Sequence, residues 1–180
     1  MRKISLVGCV VAALAISFAA SARLVDAGDE EVRFLATGPG GLHIRGSGDG
    51  LSATEEKDNI RIRVPVTNLK TGIALRDQHL KKYIEAKRYS HATLEVPRSK
   101  LKFPANDQKA TGRATGTFTL HGVSRALDFD YVANRTGSDY HVQALATIDI
   151  TDYRIEQPCY LGLCVDPKVK LKVKFKLREQ

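Results

Sequence analysis

The 180-residue sequence predicts an all-β domain, an antiparallel barrel or sandwich, on three observations. The first is Lys168-Val169-Lys170-Leu171-Lys172-Val173-Lys174-Phe175-Lys176-Leu177, where lysines and apolar residues alternate without a fault. A helix would scatter that apolar set around its axis, whereas a strand puts all of it on one face. The second is the same period in Asn59-Ile60-Arg61-Ile62-Arg63-Val64-Pro65-Val66. The third is number: about nine short alternating segments are separated by turn residues, a pattern that argues against a doubly wound sheet.

In chain order, Arg2 and Lys3 precede an apolar run, residues 4–20, that ends in Ala20-Ser21-Ala22. This is the pattern of an export signal cleaved after Ala22, so 1–22 is expected to be a signal peptide and 23–180 one domain, periplasmic or extracellular. Ser5, Gly8 and Ser17 interrupt the run, which argues against an uncleaved anchor, and Leu6-Val7-Gly8-Cys9 lies too near the start for a lipoprotein box. No later stretch reaches the roughly 20 apolar residues of a spanning helix.

Strands are expected near 31–36, 42–45, 59–66, 92–96, 100–103, 113–120, 126–132, 140–150 and 168–177, with turns at 38–41, 46–50, 104–107, 121–122 and 134–138. Pro65 falls in the outward phase, which suggests an edge or a bulge. From 73 to 86 the alternation stops: Leu80, Tyr83 and Ile84 stand at helical spacing, and Asp77 and Lys81 are four apart. This predicts a short helix capping one end of the barrel, and a second helical turn is expected at 151–154.

The formal net charge of +8 admits anionic partners, but export makes nucleic acid an unsuitable one, and the lysine row reads as the solvated face of a strand that discourages edge-to-edge pairing. Cys159 and Cys164, bracketed by Pro158 and Pro167, read as a local disulfide in an oxidising compartment. No G-x-S-x-G nucleophile motif is present, and Gly46-Ser47-Gly48-Asp49-Gly50 lacks the residues that make a phosphate loop. His43, His79, His91, His121 and His141 show no ligand spacing, so no metal and no cofactor are expected. Asn134-Arg135-Thr136 is a glycosylation sequon by pattern alone.

The inward phase of the strands places Phe34, Ile62, Val64, Phe103, Phe118, Leu120, Phe129, Tyr131, Val142, Ile148, Val173 and Phe175 around a common interior. Eight strands leave a space that side chains fill or that holds one small ligand, and periodicity leaves both open.

Two segments resemble a known family. Thr71-Gly72-Ile73-Ala74-Leu75-Arg76-Asp77-Gln78-His79-Leu80 is similar to the T-G-x-x-x-R-(D/N)-x-H-L stretch of the YceI-like, polyisoprenoid-binding family, and Gly116-Thr117-Phe118-Thr119-Leu120-His121-Gly122-Val123-Ser124-Arg125 to its G-x-L-T-L-H-G-V-T-R hairpin. Asp152-Tyr153-Arg154-Ile155 and the final strand also fit the family's ending. The resemblance implies a lipocalin-like antiparallel β-barrel of about eight strands around an apolar isoprenoid or other lipid chain. Two departures stand out: Tyr83-Ile84-Glu85-Ala86-Lys87-Arg88-Tyr89-Ser90 replaces the family's aromatic and proline segment, and the cysteine pair is not a general feature of it.

The expectation is therefore a non-catalytic carrier with Arg76 and His79 at a polar mouth, in transient contact with a membrane surface. Arg76 paired to Asp77 on the surface, with His79 as a helix cap, is the structural alternative. The rival functions are an enzyme with His79 as base oriented by Asp77, and a structural or stress-related barrel with a filled core.

Overall fold

The computed structural model describes residues 23–180, so the expected signal peptide lies outside the described residues. The strands are β1 (Leu24–Asp26), β2 (Glu31–Thr37), β3 (His43–Gly48), β4 (Ser52–Glu56), β5 (Asn59–Pro65), β6 (His91–Pro97), β7 (Lys109–Leu120), β8 (Val123–Thr136), β9 (Asp139–Asp149), β10 (Cys159–Tyr160), β11 (Leu163–Cys164) and β12 (Lys168–Glu179). The helix α1 (Ala74–Tyr83) lies between β5 and β6, and a 3-10 turn at Ile150–Tyr153 occupies the place of the second expected helical turn. Nine strands form one antiparallel ladder in the order β3-β2-β12-β9-β8-β7-β6-β5-β4, with β1 joining the free end of β12.

The first and last strands of this ladder, β3 and β4, are joined by only residues 49–51, so the sheet must curl until its ends are neighbours. They do not pair with each other. Instead β1 spans the seam at one end, where Leu24 N donates to Glu55 Oε2 at 3.0 Å and Ala53 N donates to Asp26 Oδ2 at 2.8 Å. Farther along, Ser47 and Lys70 exchange two backbone hydrogen bonds of 2.9 Å. The closed barrel of about eight strands is thus corrected to a nine-strand, strongly curled half-barrel: carboxylates, rather than strand carbonyls, take up edge N–H groups of β1 and β4.

Four local expectations also change. The 100–103 strand is replaced by a 3-10 turn at Arg98–Lys100 and a loop, pinned where Lys102 N donates to Tyr131 Oη at 2.6 Å. Gly46 and Gly48 belong to β3 rather than to a loop, because Phe34 and Leu69 lie over them; a Cβ on Gly46 would stand 2.0 Å from the Phe34 ring. Pro65 ends β5 inside the ladder, past the last β4 pair at Ser52 and Arg63, so its missing N–H breaks no bond to β4. The lysine strand β12 is flanked by β2 and β9, so its lysines solvate an outer face and guard no edge.

The interior divides along its length. At one end Leu24, Ile60, Tyr140, Phe175 and Leu177 are buried together, and Phe103 meets the Tyr140 ring edge-on at 5.8 Å. Glu55 is buried here and ion-paired with Arg98, whose guanidinium lies 4.7 Å over the Phe103 ring. Tyr140 Oη donates to Glu179 Oε1 at 2.6 Å, and burial, followed by that carboxylate, pushes its pKa up to about 12, so the phenol stays a donor throughout the neutral range.

Removing the cation from a buried pair strands the anion. Arg98→Ala is expected to cost about 3 kcal/mol in urea unfolding, and an Arg98→Met, Glu55→Gln double variant to recover most of it; equal losses in both would place the cost elsewhere.

Candidate ligand-binding cavity

At the other end the same strands enclose a cavity of about 770 Å³. The taper is written in the inward positions of two paired strands. On β9 the set runs Tyr140, Val142, Ala144, Ala146, Ile148, and on β12 it runs Leu177, Phe175, Val173, Leu171, Val169. Bulk fills the closed end, while Ala144 and Ala146, with Ala36 on β2 and Ala92 on β6, leave room in the open one. The walls are almost wholly apolar, in the size range of small-molecule sites.

The mouth is spanned by α1, which buries none of its own residues but turns Leu80 and Tyr83 toward the cavity. Polar side chains gather here: Thr71, Arg76 and His79 line the opening. Thr71 N and Oγ1 both donate to Asp77 Oδ1 at 2.6 Å, and these bonds hold the Asp77 pKa below its ordinary 3.8. They also secure the start of α1, whose N-cap Ile73 has no side chain to do so. The Asp77 carboxylate is therefore engaged by Thr71, and no Asp77–His79 dyad is assembled. Beyond α1 the chain is anchored by buried Ile84 and Ala86, and Glu85 Oε1 lies 3.1 Å from His121 Nε2. His121 occupies the β7–β8 turn with φ 52°, followed by Gly122 at φ 74°, and its Nδ1 lies 3.0 Å from the Tyr153 carbonyl. That turn thus ties the helix end to the sheet.

The opposite rim is the β10–β11 hairpin, closed by the Cys159–Cys164 disulfide. Asp166 N donates to the Thr37 carbonyl at 2.7 Å, which holds the hairpin against the end of β2. Pro158, Cys159 and Leu163 contribute to the cavity wall.

Of the residues singled out in the sequence, Phe34, Ile62, Val64, Arg76, His79, Phe118, Leu120, Phe129, Ile148 and Val173 line the cavity. Phe103, Tyr131, Val142 and Phe175 pack into its closed floor and the adjoining core. Sequence reasoning missed the small wall residues Ala36, Ala92, Ala144 and Ala146, although each sits in the inward phase of its strand. An alternation search that kept alanine in the apolar set would have found them.

A family model for the YceI-like domain matches residues 25–177. Among solved structures, a polyisoprenoid-binding domain from Saccharophagus degradans superposes with a TM-score of 0.75 at 19% identity, covering 89% of this chain and 99% of that one. BcnA of Burkholderia cenocepacia gives 0.67 at 16%, covering 84% and 98%. The Campylobacter jejuni YCEI protein gives 0.58 at 18%, covering 100% and 99%. No match is found among curated proteins.

Two outcomes are expected. Asp77 gains stability from its Thr71 bonds above the unfolded carboxylate pKa and loses it as pH falls through its lowered folded value. In an NMR titration its carboxyl midpoint should lie below 3.8 and rise toward that value in Thr71→Val. Replacing both Cys159 and Cys164 with serine should lower stability by no more than about 2 kcal/mol, since the loop it closes is short; loss of the folded state would show a larger role.

Proposed function

This chain belongs to the YceI-like domain family, whose model matches residues 25–177, and from that premise we propose that it is an exported, non-catalytic carrier of an apolar isoprenoid or other lipid chain. The observation that carries the proposal is the division of the interior: a hollow, apolar half of about 770 Å³ with Thr71, Arg76 and His79 gathered at its mouth, the further lining cation Arg33 lying in the outward phase of β2 and paired with Glu31. Such a space suits a chain with one polar end. Each buried CH₂ is worth about 0.8 kcal/mol, so affinity grows with chain length and needs no chemistry at the site.

In this reading Phe34, Ile62, Val64, Phe118, Leu120, Phe129, Ile148 and Val173 contact the chain, and the packed end stops it. Arg76 presents its guanidinium fork, with His79, to a phosphate or carbonyl head group. The Saccharophagus degradans neighbour, described as polyisoprenoid-binding, supports the ligand class. The export pattern at 1–22 and the Cys159–Cys164 bridge support a periplasmic or extracellular site of action. The open volume speaks against a filled, purely structural barrel, and the Thr71-held Asp77 against a His79–Asp77 base.

Native mass spectrometry of the freshly purified protein, followed by lipid extraction, tests this reading. The expected result is an adduct whose mass is that of an unaltered apolar lipid. Ala146→Phe should lower lipid per chain by roughly half or more while the protein still folds, because Ala146 borders the cavity and the added ring has open volume to enter. Lipid-free protein that takes up no isoprenoid would overturn the proposal, and turnover of the lipid that disappears in His79→Gln would establish an enzyme instead.

A further inference from the structure

Among the described residues, the large apolar side chains left exposed are Leu42, Ile73, Leu75, Leu145, Leu161 and Leu163. Leu163 lines the cavity, Leu42, Ile73, Leu75 and Leu161 each lie within two residues of one that does, and Leu145, which also borders the cavity, stands apart on β9 between Lys172 and Asp130. Leu42 lies in the β2–β3 turn between the rim residues Pro39 and Ile44, Ile73 and Leu75 begin α1, and Leu161 and Leu163 tip the disulfide hairpin. Leu161 is 84% exposed and has φ 48°, next to Gly162 at φ 78°. Asparagine, aspartate or glycine suits such a turn, so a leucine there goes against both solubility and backbone preference. Exposed apolar side chains concentrated on one rim mark a contact surface rather than scattered surface residues.

The charge of the rim indicates what it contacts. Residues 70–88 carry six cations, Lys70, Arg76, Lys81, Lys82, Lys87 and Arg88, against two carboxylates, and a third, Asp49, lies 3.7 Å from Lys70. Both carboxylates of the segment are engaged, Asp77 by Thr71 and Glu85 by Arg88 at 3.5 Å and His121 at 3.1 Å. On the hairpin side, Asp149 and Asp166 accept from the backbone N–H groups of Thr151 and Lys168 at 3.0 and 2.8 Å. Asp152 and Glu156 stand on that side too, so α1 makes the electrostatic contact and the hairpin an apolar one. The cationic α1 side is drawn to an anionic plane.

We infer that this rim docks, mouth down, on the surface of a bilayer containing anionic phospholipid. Leu42, Leu75 and Leu161 enter the interface while Lys81 and Lys82 lie at the head groups. The carrier reading, on which the inference rests for its purpose, then acquires a route: the chain passes between bilayer and cavity along an apolar path without crossing water.

Flotation with vesicles of phosphatidylcholine, with and without phosphatidylglycerol, tests it. The protein should float with the anionic vesicles only, and less as salt rises. Lys81→Gln and Lys82→Gln should each weaken binding about fivefold. Leu75→Ser with Leu161→Ser should weaken it about tenfold, while Lys109→Gln, at the end of β7 remote from the cavity residues Phe118 and Leu120, leaves it unchanged. All variants should keep a wild-type circular dichroism spectrum, and the leucine variants should retain lipid already bound. Protein that carries lipid but ignores anionic vesicles would overturn the docking inference and leave the carrier reading standing. Vesicle binding by protein that never holds lipid would do the reverse. Equal binding by the Leu75→Ser, Leu161→Ser variant, or self-association abolished by it without vesicle binding, would also overturn the docking inference.

Discussion

Residues 49–51 join the first and last strands of a nine-strand ladder, and the shortness of that link forces the curl on which the cavity depends. A twisted sheet of this width would otherwise splay open and leave its apolar face in water. Held end to end, it turns that face inward and needs no second layer to cover it. The seam is completed by carboxylates: Asp26 and Glu55 bind the N–H groups of Ala53 and Leu24. Edge groups are satisfied without a full ladder between β3 and β4.

A curled sheet still has to be stoppered, and here the two ends are treated differently. The closed end uses bulk, with Phe103, Tyr140 and Phe175 in one cluster and the buried Glu55 ion-paired with Arg98, whose guanidinium lies over the Phe103 ring. The open end uses a helix that buries none of its residues and a short disulfide hairpin, both attached at their bases. Thr71 with Asp77 holds one end of the helix segment, and Glu85 with His121 lies at the other. Segments with few buried contacts are the ones that open locally at least cost, so ligand entry is easier to understand at this end than through the packed floor.

The antiparallel strands and the short helix were legible in the sequence, though not the open seam or the ninth strand, because strand alternation has a period of two and tolerates little ambiguity over ten residues. The alternation of β12 and of β5, and the helical spacing of Leu80, Tyr83 and Ile84, all survive in the structure. What could not be read were elements without that signal: β4 is Ser-Ala-Thr-Glu-Glu, whose inward residues are Ala53 and a buried Glu55, and Gly46 and Gly48 look like a turn until Phe34 and Leu69 are seen lying on them.

For the candidate site the division is similar. By itself the sequence determined which residues of its strands face inward, since on a strand that follows from parity, and it placed Arg76 and His79 on a capping helix. Tertiary structure alone decided which inward residues fill space and which leave it. Phe118 and Phe175 are indistinguishable by pattern, yet one lines the cavity and the other packs against the floor. That depends on how far along the axis each strand has advanced when it meets its partner. The register pairing Phe175 with Val142, and Leu171 with Ala146, follows from strand tilt and curl rather than from any single strand.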